Sequence, residues 1–273
     1  MPILLGLLAS LLIGMSDFFG ARSAGRTTAL QTTTAAFLAG GVAAMFYSPL
    51  LGNPRFEDIA LGALSGVALA IALTTLWRAY AMSSIGVAAP IAAVVSTVIP
   101  VLYGTARGEA PGPLGWLGMS VGVVALFIAS WQPAGDASRV GVMLGLVSGL
   151  FFSAMYIIAI STSDDAGTWP IVPQRLTAFV LAMTAALVTR QRAFAGGAAT
   201  RISMLAGVFG ATGVAVVVYG GQRFPVAPVV VAGSMYPAVA ITLAWVFMDQ
   251  VLTPRQILGV AGALVGVALM SLD

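Results

Sequence analysis

The chain has 273 residues, of which 59% are hydrophobic and only 8% charged, and its mean hydropathy is +1.01. A soluble domain carries roughly 25% charged residues, so most of this surface must face lipid. The net charge of +3 comes from twelve basic residues, all arginine, and there is no lysine, histidine or cysteine, which excludes disulfides and thiol chemistry, removes the commonest general base and metal ligand, and leaves orientation signals rather than a nucleic-acid footprint.

A membrane-spanning helix needs about 20 largely apolar residues. On that criterion the sequence predicts ten spans, at 3–21, 28–50, 59–82, 86–106, 113–131, 140–161, 169–189, 203–220, 226–248 and 255–272. The first lacks a basic leader and a cleavage site and reads as a retained helix, not a signal peptide. It carries Asp17, about fourteen residues in and so roughly 21 Å along a helix rising 1.5 Å per residue. A carboxylate at that depth binds a substrate ammonium or a proton, or else caps the helix end. The third span closes on Trp77-Arg78-Ala79-Tyr80, and only Ser83, Ser84 and Gly86 part it from the fourth. Arg78 holds a substrate carboxylate, pairs with Asp17, or snorkels to the headgroups.

Spans four and nine carry Pro90, Pro100, Pro228 and Pro237. Each is expected to kink its helix and free a backbone carbonyl, beside which Ser96, Thr97 and Ser234 complete a polar site. Trp77, Tyr80, Tyr103, Tyr156, Tyr219 and Tyr236 offer apolar faces with hydrogen-bonding tips for a cavity wall. Trp116, Trp131 and Trp169 suit an interfacial belt instead. Glu109, Asp164, Asp165 and Asp249 fall in loops and read as solvated.

The chain repeats itself. Gly6-Leu7-Leu8-Ala9-Ser10 is echoed by Gly145-Leu146-Val147-Ser148-Gly149, and Tyr80 by Tyr219, at an offset of 139. Thr97-Val98-Ile99-Pro100 matches Ser234-Met235-Tyr236-Pro237 at 137, and Gly115, Gly118 and Gly122 match Gly259, Gly262 and Gly266 at 144. Five helices per copy is an odd number, so the second copy enters from the opposite face. The expected fold is all-α: an integral membrane protein of ten transmembrane helices in two inverted five-helix repeats, residues 1–135 and 136–273, around a central cavity. Pairs such as Gly62/Gly66, Gly118/Gly122, Gly141/Gly145/Gly149 and Gly262/Gly266 are expected to serve close helix packing.

Gly14-Met15-Ser16-Asp17-Phe18-Phe19-Gly20, the stretch Trp77 to Ala81 followed by Val87-Ala88-Ala89-Pro90-Ile91, and their counterparts around Tyr219, Val226-Ala227-Pro228-Val229 and Ser234 to Pro237 resemble EamA-type members of the drug/metabolite transporter superfamily. The acidic loops Gly108-Glu109 and Asp249-Gln250, each before a glycine-rich last helix, fit the same family. Ile13, where many relatives carry Trp, and Asp249-Gln250, where many carry Gly-Glu, depart from its pattern. The resemblance implies a ten-helix exporter of small metabolites, nearest to the aromatic amino-acid branch, with no cofactor or metal and no catalytic residues. The implied partners are a small-molecule substrate, an amino acid or related metabolite, and membrane lipid, with a monomer sufficient as the unit. A multidrug or cationic-compound exporter, a channel and a membrane-embedded lipid-modifying enzyme are the competing readings; without His, Cys or Lys the last has few nucleophiles or bases. The expected location is the cell (inner) membrane. Arg55, Arg107, Arg175 and Arg223 fall on the side of the termini, and Arg22, Arg26, Arg78, Arg139, Arg190, Arg192, Arg201 and Arg255 on the other, which puts both termini outside.

Overall fold

The structure, a computed structural model, describes residues 1–82, 85–108, 110–130, 139–248 and 254–271. Among these, all regular structure is helical: α1 (Pro2–Ala24), α2 (Ala29–Tyr47), α3 (Phe56–Met82), α4 (Ile85–Ala106), α5 (Pro113–Ser130), α6 (Arg139–Ile160), α7 (Ile171–Val188), α8 (Gly197–Arg223), α9 (Val226–Gly233), α10 (Tyr236–Met248) and α11 (Pro254–Ser271). Six of them, α1, α2 with its trailing 3-10 turn, α3, α6, α7 and α8, are long and apolar enough to cross a membrane. Shorter apolar stretches lie at Ile91–Ala106, Pro113–Ala125 and Val226–Ala240. The chain is a multi-pass membrane protein.

Local chemistry sets the helix ends. Pro2 sits in the first turn of α1, where its missing N–H costs nothing. A reciprocal capping box opens α2: the Gln31 N–H donates to Thr28 Oγ1 and the Thr28 N–H to Gln31 Oε1, both at 3.2 Å. Two expectations change. α8 is longer than the predicted 203–220, because a helix continues through Arg201 and Gln222 where an apolar window stops. The predicted ninth span is two helices: α9 ends at Gly233 and α10 begins at Tyr236. Pro237 cannot donate to the Gly233 carbonyl, so the expected kink becomes a break. The Ser234 N–H donates to Val230 O at 2.8 Å and the Ser234 hydroxyl to Val231 O at 2.8 Å, which closes the end of α9.

The helices sort their residues as lipid demands. Leu4, Leu8 and Leu11 form an exposed apolar stripe on α1, while Ala9, Ser10 and Gly14 on the same helix are buried. With apolar solvent outside, small residues and close backbone approach do the packing. A Cβ on Gly66 would run into the Gln174 carbonyl of α7, one on Gly207 into the Ala36 carbonyl of α2, and one on Gly266 into the Gly118–Gly122 backbone of α5. α1 packs on α8, α9 and α10; α6 packs on α3 and α4; α2 and α7 pack on each other, α2 also on α8 and α7 on α3; α5 packs on α11.

Two polar clasps tie helix ends together. In one, Asp58 at the start of α3 accepts the Ser163 N–H (2.7 Å) and hydroxyl (2.8 Å) from the end of α6 and the Arg55 N–H (2.9 Å). Arg55 and Asp165 form an exposed ion pair at 3.1 Å, and the Trp169 indole donates to Gly52 O at 2.8 Å. In the other, Ser23 near the end of α1 bonds Ser203 near the start of α8 at 2.7 Å, and the Thr32 hydroxyl of α2 donates to Ser23 at 3.3 Å.

Candidate functional site

Helices α1, α3, α4, α6, α7, α8 and α10 converge on one cavity with a free volume of about 40 Å³. That is room for a few water molecules and for no amino acid. Leu69 and Leu73 of α3, Ser96 of α4 and Val214 of α8 line it from the middle of their helices, so the cavity lies at mid-depth. Its polar lining is Ser16, Asp17, Ser96, Tyr156, Arg175 and Tyr236; leucines 69, 73 and 76 with Phe152 supply the apolar wall. Among the described residues, none from α5 or α11 lines it.

Asp17 is 6% exposed. The Tyr80 hydroxyl donates to its Oδ2 at 3.5 Å, and the indole N–H of fully buried Trp77 lies beside the same carboxylate, short of hydrogen-bond geometry. Trp77 is held there because Gly20, one turn along α1, leaves room for its ring. On the same cavity Arg175 is 2% exposed, one turn into α7. Among the described residues neither charge has an ionic partner, since the only ion pair there is Arg55–Asp165. Tyr156 on α6 lies close to both charges.

The other expected residues divide by position. Ser234, Ser96, Tyr156 and Tyr236 line a second small pocket adjoining the first, at the break between α9 and α10. Arg78 is exposed and off the cavity. Tyr103, near the end of α4, approaches Ser161 at 3.4 Å and the Arg107 side chain, and Tyr219 lies under the Arg223 guanidinium at 4.0 Å; both stand at helix ends. Pro100 sits within an unbroken α4 and Pro228 in the first turn of α9. The Pro90 side chain, Trp131, Glu109 and Asp249 lie outside the described residues.

Arg175 joins the site although sequence reasoning counts it among the orientation charges, as one that a span could bury, and not among the cavity residues. The signal was present: an arginine directly after Ile171-Val172-Pro173-Gln174, within an apolar run, is an intramembrane ion by default. Asp58 is the second such residue, hidden in the loop-like string Asn53-Pro54-Arg55-Phe56-Glu57.

No curated protein matches the chain. A protein of known crystal structure is similar over 99% of this chain and 96% of its own, with a TM-score of 0.80 and 16% identity, which shows the fold alone. Residues 139–272 match the EamA-like transporter family, within the drug/metabolite transporter superfamily. Those residues hold α6 to α11, and with them Tyr156, Arg175 and Tyr236 of the cavity wall. The second half of the chain, residues 139–272, is thus similar to the EamA-like transporter family.

Proposed function

We propose that the protein is a secondary transporter that exports amino acids, large neutral or aromatic ones, across the inner membrane by alternating access between two inverted five-helix halves, 1–135 and 136–273. The observation that carries the substrate reading is Asp17, a buried carboxylate without an ionic partner among the described residues, on a cavity whose other wall is leucine and aromatic. A carboxylate there receives a substrate ammonium and the apolar wall receives a large side chain. At about 40 Å³ the cavity is too small for such a substrate, which therefore enters when the halves part.

The packing supports the inverted halves. Pairing α1 with α6, α2 with α7, α3 with α8, α4 with α9–α10 and α5 with α11 turns the α1–α8 contact into α6–α3, α1–α9/α10 into α6–α4, and α2–α8 into α7–α3; α2–α7 and α5–α11 map onto themselves. The clasps add direction. The end of α6 meets the start of α3, and the end of α1 meets the start of α8. Since α3 starts where α2 ends, and α2 at 19 residues is roughly 28 Å long, α1 and α6 finish on opposite faces. That is the geometry in which one site opens to either side in turn.

Uptake by purified protein in liposomes tests the reading, with a panel of amino acids and cationic drugs, with and without a pH gradient. Saturable uptake of large neutral amino acids is expected, and Asp17→Asn is expected to lower it at least tenfold. Clear transport of a cationic drug with no amino-acid uptake overturns the substrate class.

A further inference from the structure

Resting on that transport reading, we infer that Arg175 on α7 is the binding site for a carboxylate of the substrate, so that the transported class is zwitterionic: an ammonium on Asp17, a carboxylate on Arg175 and an apolar side chain between the leucines. A guanidinium is always charged and carries five N–H donors in a planar fork. This one is almost wholly buried, its Nε–H meets no acceptor, and no acid among the described residues pairs with it. A structural arginine at this depth would be matched; Asp58, equally buried, has three donors on its carboxylate.

The neighbourhood leaves space on the cavity side of the fork. Gly41 lies against the base of the Arg175 side chain, and Gly210 faces Ser16 and Arg175 Nη2; an added Cβ at Gly210 would stand 2.7 Å from Ser16 Oγ and 3.9 Å from Nη2. Tyr47 and Tyr156 lie beside the guanidinium. The Tyr47 hydroxyl is buried outside hydrogen-bond geometry, a second donor suited to the same anion. A carboxylate would take two parallel N–H bonds from the fork. Asp17 and Arg175 share one cavity and do not pair, and Tyr156 lies near both. Two opposite charges held apart in this way fit a ligand that brings one of each.

The test uses the full chain with tryptophan, tryptamine, which lacks the carboxylate, and indole-3-propionate, which lacks the ammonium, in chloride-free buffer and with added chloride. Wild type should take up tryptophan, and tryptophan should raise its Tm. Arg175→Gln should lower tryptophan kcat/KM about 100-fold, abolish that Tm shift, and leave tryptamine handling within threefold of wild type. Asp17→Asn should lose both amine-bearing compounds. Arg175→Lys keeps the charge without the fork and should raise KM for tryptophan more than it lowers kcat. Equal loss of tryptophan and tryptamine in Arg175→Gln, or retention of tryptophan binding, overturns the inference. So does failure of both variants to fold, which makes Arg175 structural, or a Tm shift produced by chloride alone at the same residue. Wild type that carries tryptamine and not tryptophan leaves the transporter standing and sinks the carboxylate site. Wild type that carries neither sinks the transport reading, while the tryptophan Tm shift still decides Arg175.

Discussion

Hydrogen-bond accounting separates two kinds of buried charge in this molecule. Asp58 receives three donors and ties α3 to the end of α6, so removing it orphans the Ser163 N–H and unties the clasp. Asp58→Ala should cost about 2–4 kcal/mol, read as a lower Tm. Ser163→Ala, which keeps the backbone donor, should cost about 1 kcal/mol. Arg175 should behave in the opposite way: as a buried cation with no ionic partner among the described residues it destabilises its surroundings, so Arg175→Gln should unfold at or above the wild-type temperature without ligand. Asp17 was legible in the sequence because an acid inside an apolar run stands out. Arg175 was not, because an arginine one turn from a helix start can reach either the headgroups or the interior, and only the packing of Gly41 and Gly210 around it decides.

At the scale of helices, apolar length and punctuation located the elements well, since lipid forces every span to satisfy its own backbone. The paired glycines Gly62/Gly66 and Gly262/Gly266, expected to serve close packing with no partner named, lie at the α3–α7 and α5–α11 crossings. Gly207 was not singled out, yet it lies against the Ala36 carbonyl where α8 crosses α2. Gly207→Ala should destabilise by roughly 1–3 kcal/mol through overpacking, measured against Gly196→Ala, where an added Cβ meets nothing but the backbone is strained at φ 83°. The α9–α10 break was legible as proline but not as a break, because a single helix with a kink has the same composition. Pro237→Ala restores an N–H that can reach the Gly233 carbonyl. In the first turn of α10 proline costs little; only in a continuous α9–α10 helix would it carry the roughly 3 kcal/mol of an interior proline, so a variant that joins the two helices should melt several degrees higher. It should also transport more slowly, because a continuous helix replaces the turn that carries Ser234 beside the cavity. Faster transport together with a higher Tm would show the break to be incidental.

At the scale of the whole molecule the remaining question is which way the protein faces. Charge bias in short loops sets orientation, with arginine kept on the cytoplasmic side. The structure sharpens the count. Arg175 is buried at the cavity and drops out, leaving Arg55, Arg107 and Arg223 on the side of the termini, and Arg55 is offset further by Asp165. Arg78 is exposed, so it stays on the other side with Arg22, Arg26, Arg139, Arg190, Arg192, Arg201 and Arg255. The balance is eight against three, and it predicts that the α7–α8 loop is cytoplasmic and both termini are outside. A single cysteine in this cysteine-free chain reads that loop directly. Gly197 is a poor host, because its φ of 57° is a conformation that a cysteine adopts only with strain. Ala195 is exposed and has no such demand. Ala195→Cys should therefore react with an impermeant maleimide only after cells are permeabilised, while a cysteine at Met1, on the opposite face, should react in intact cells. Labelling of Ala195→Cys in intact cells would place the arginine-rich loop outside. The bias of eight to three would then have failed to set the orientation of this chain, and both termini would be cytoplasmic.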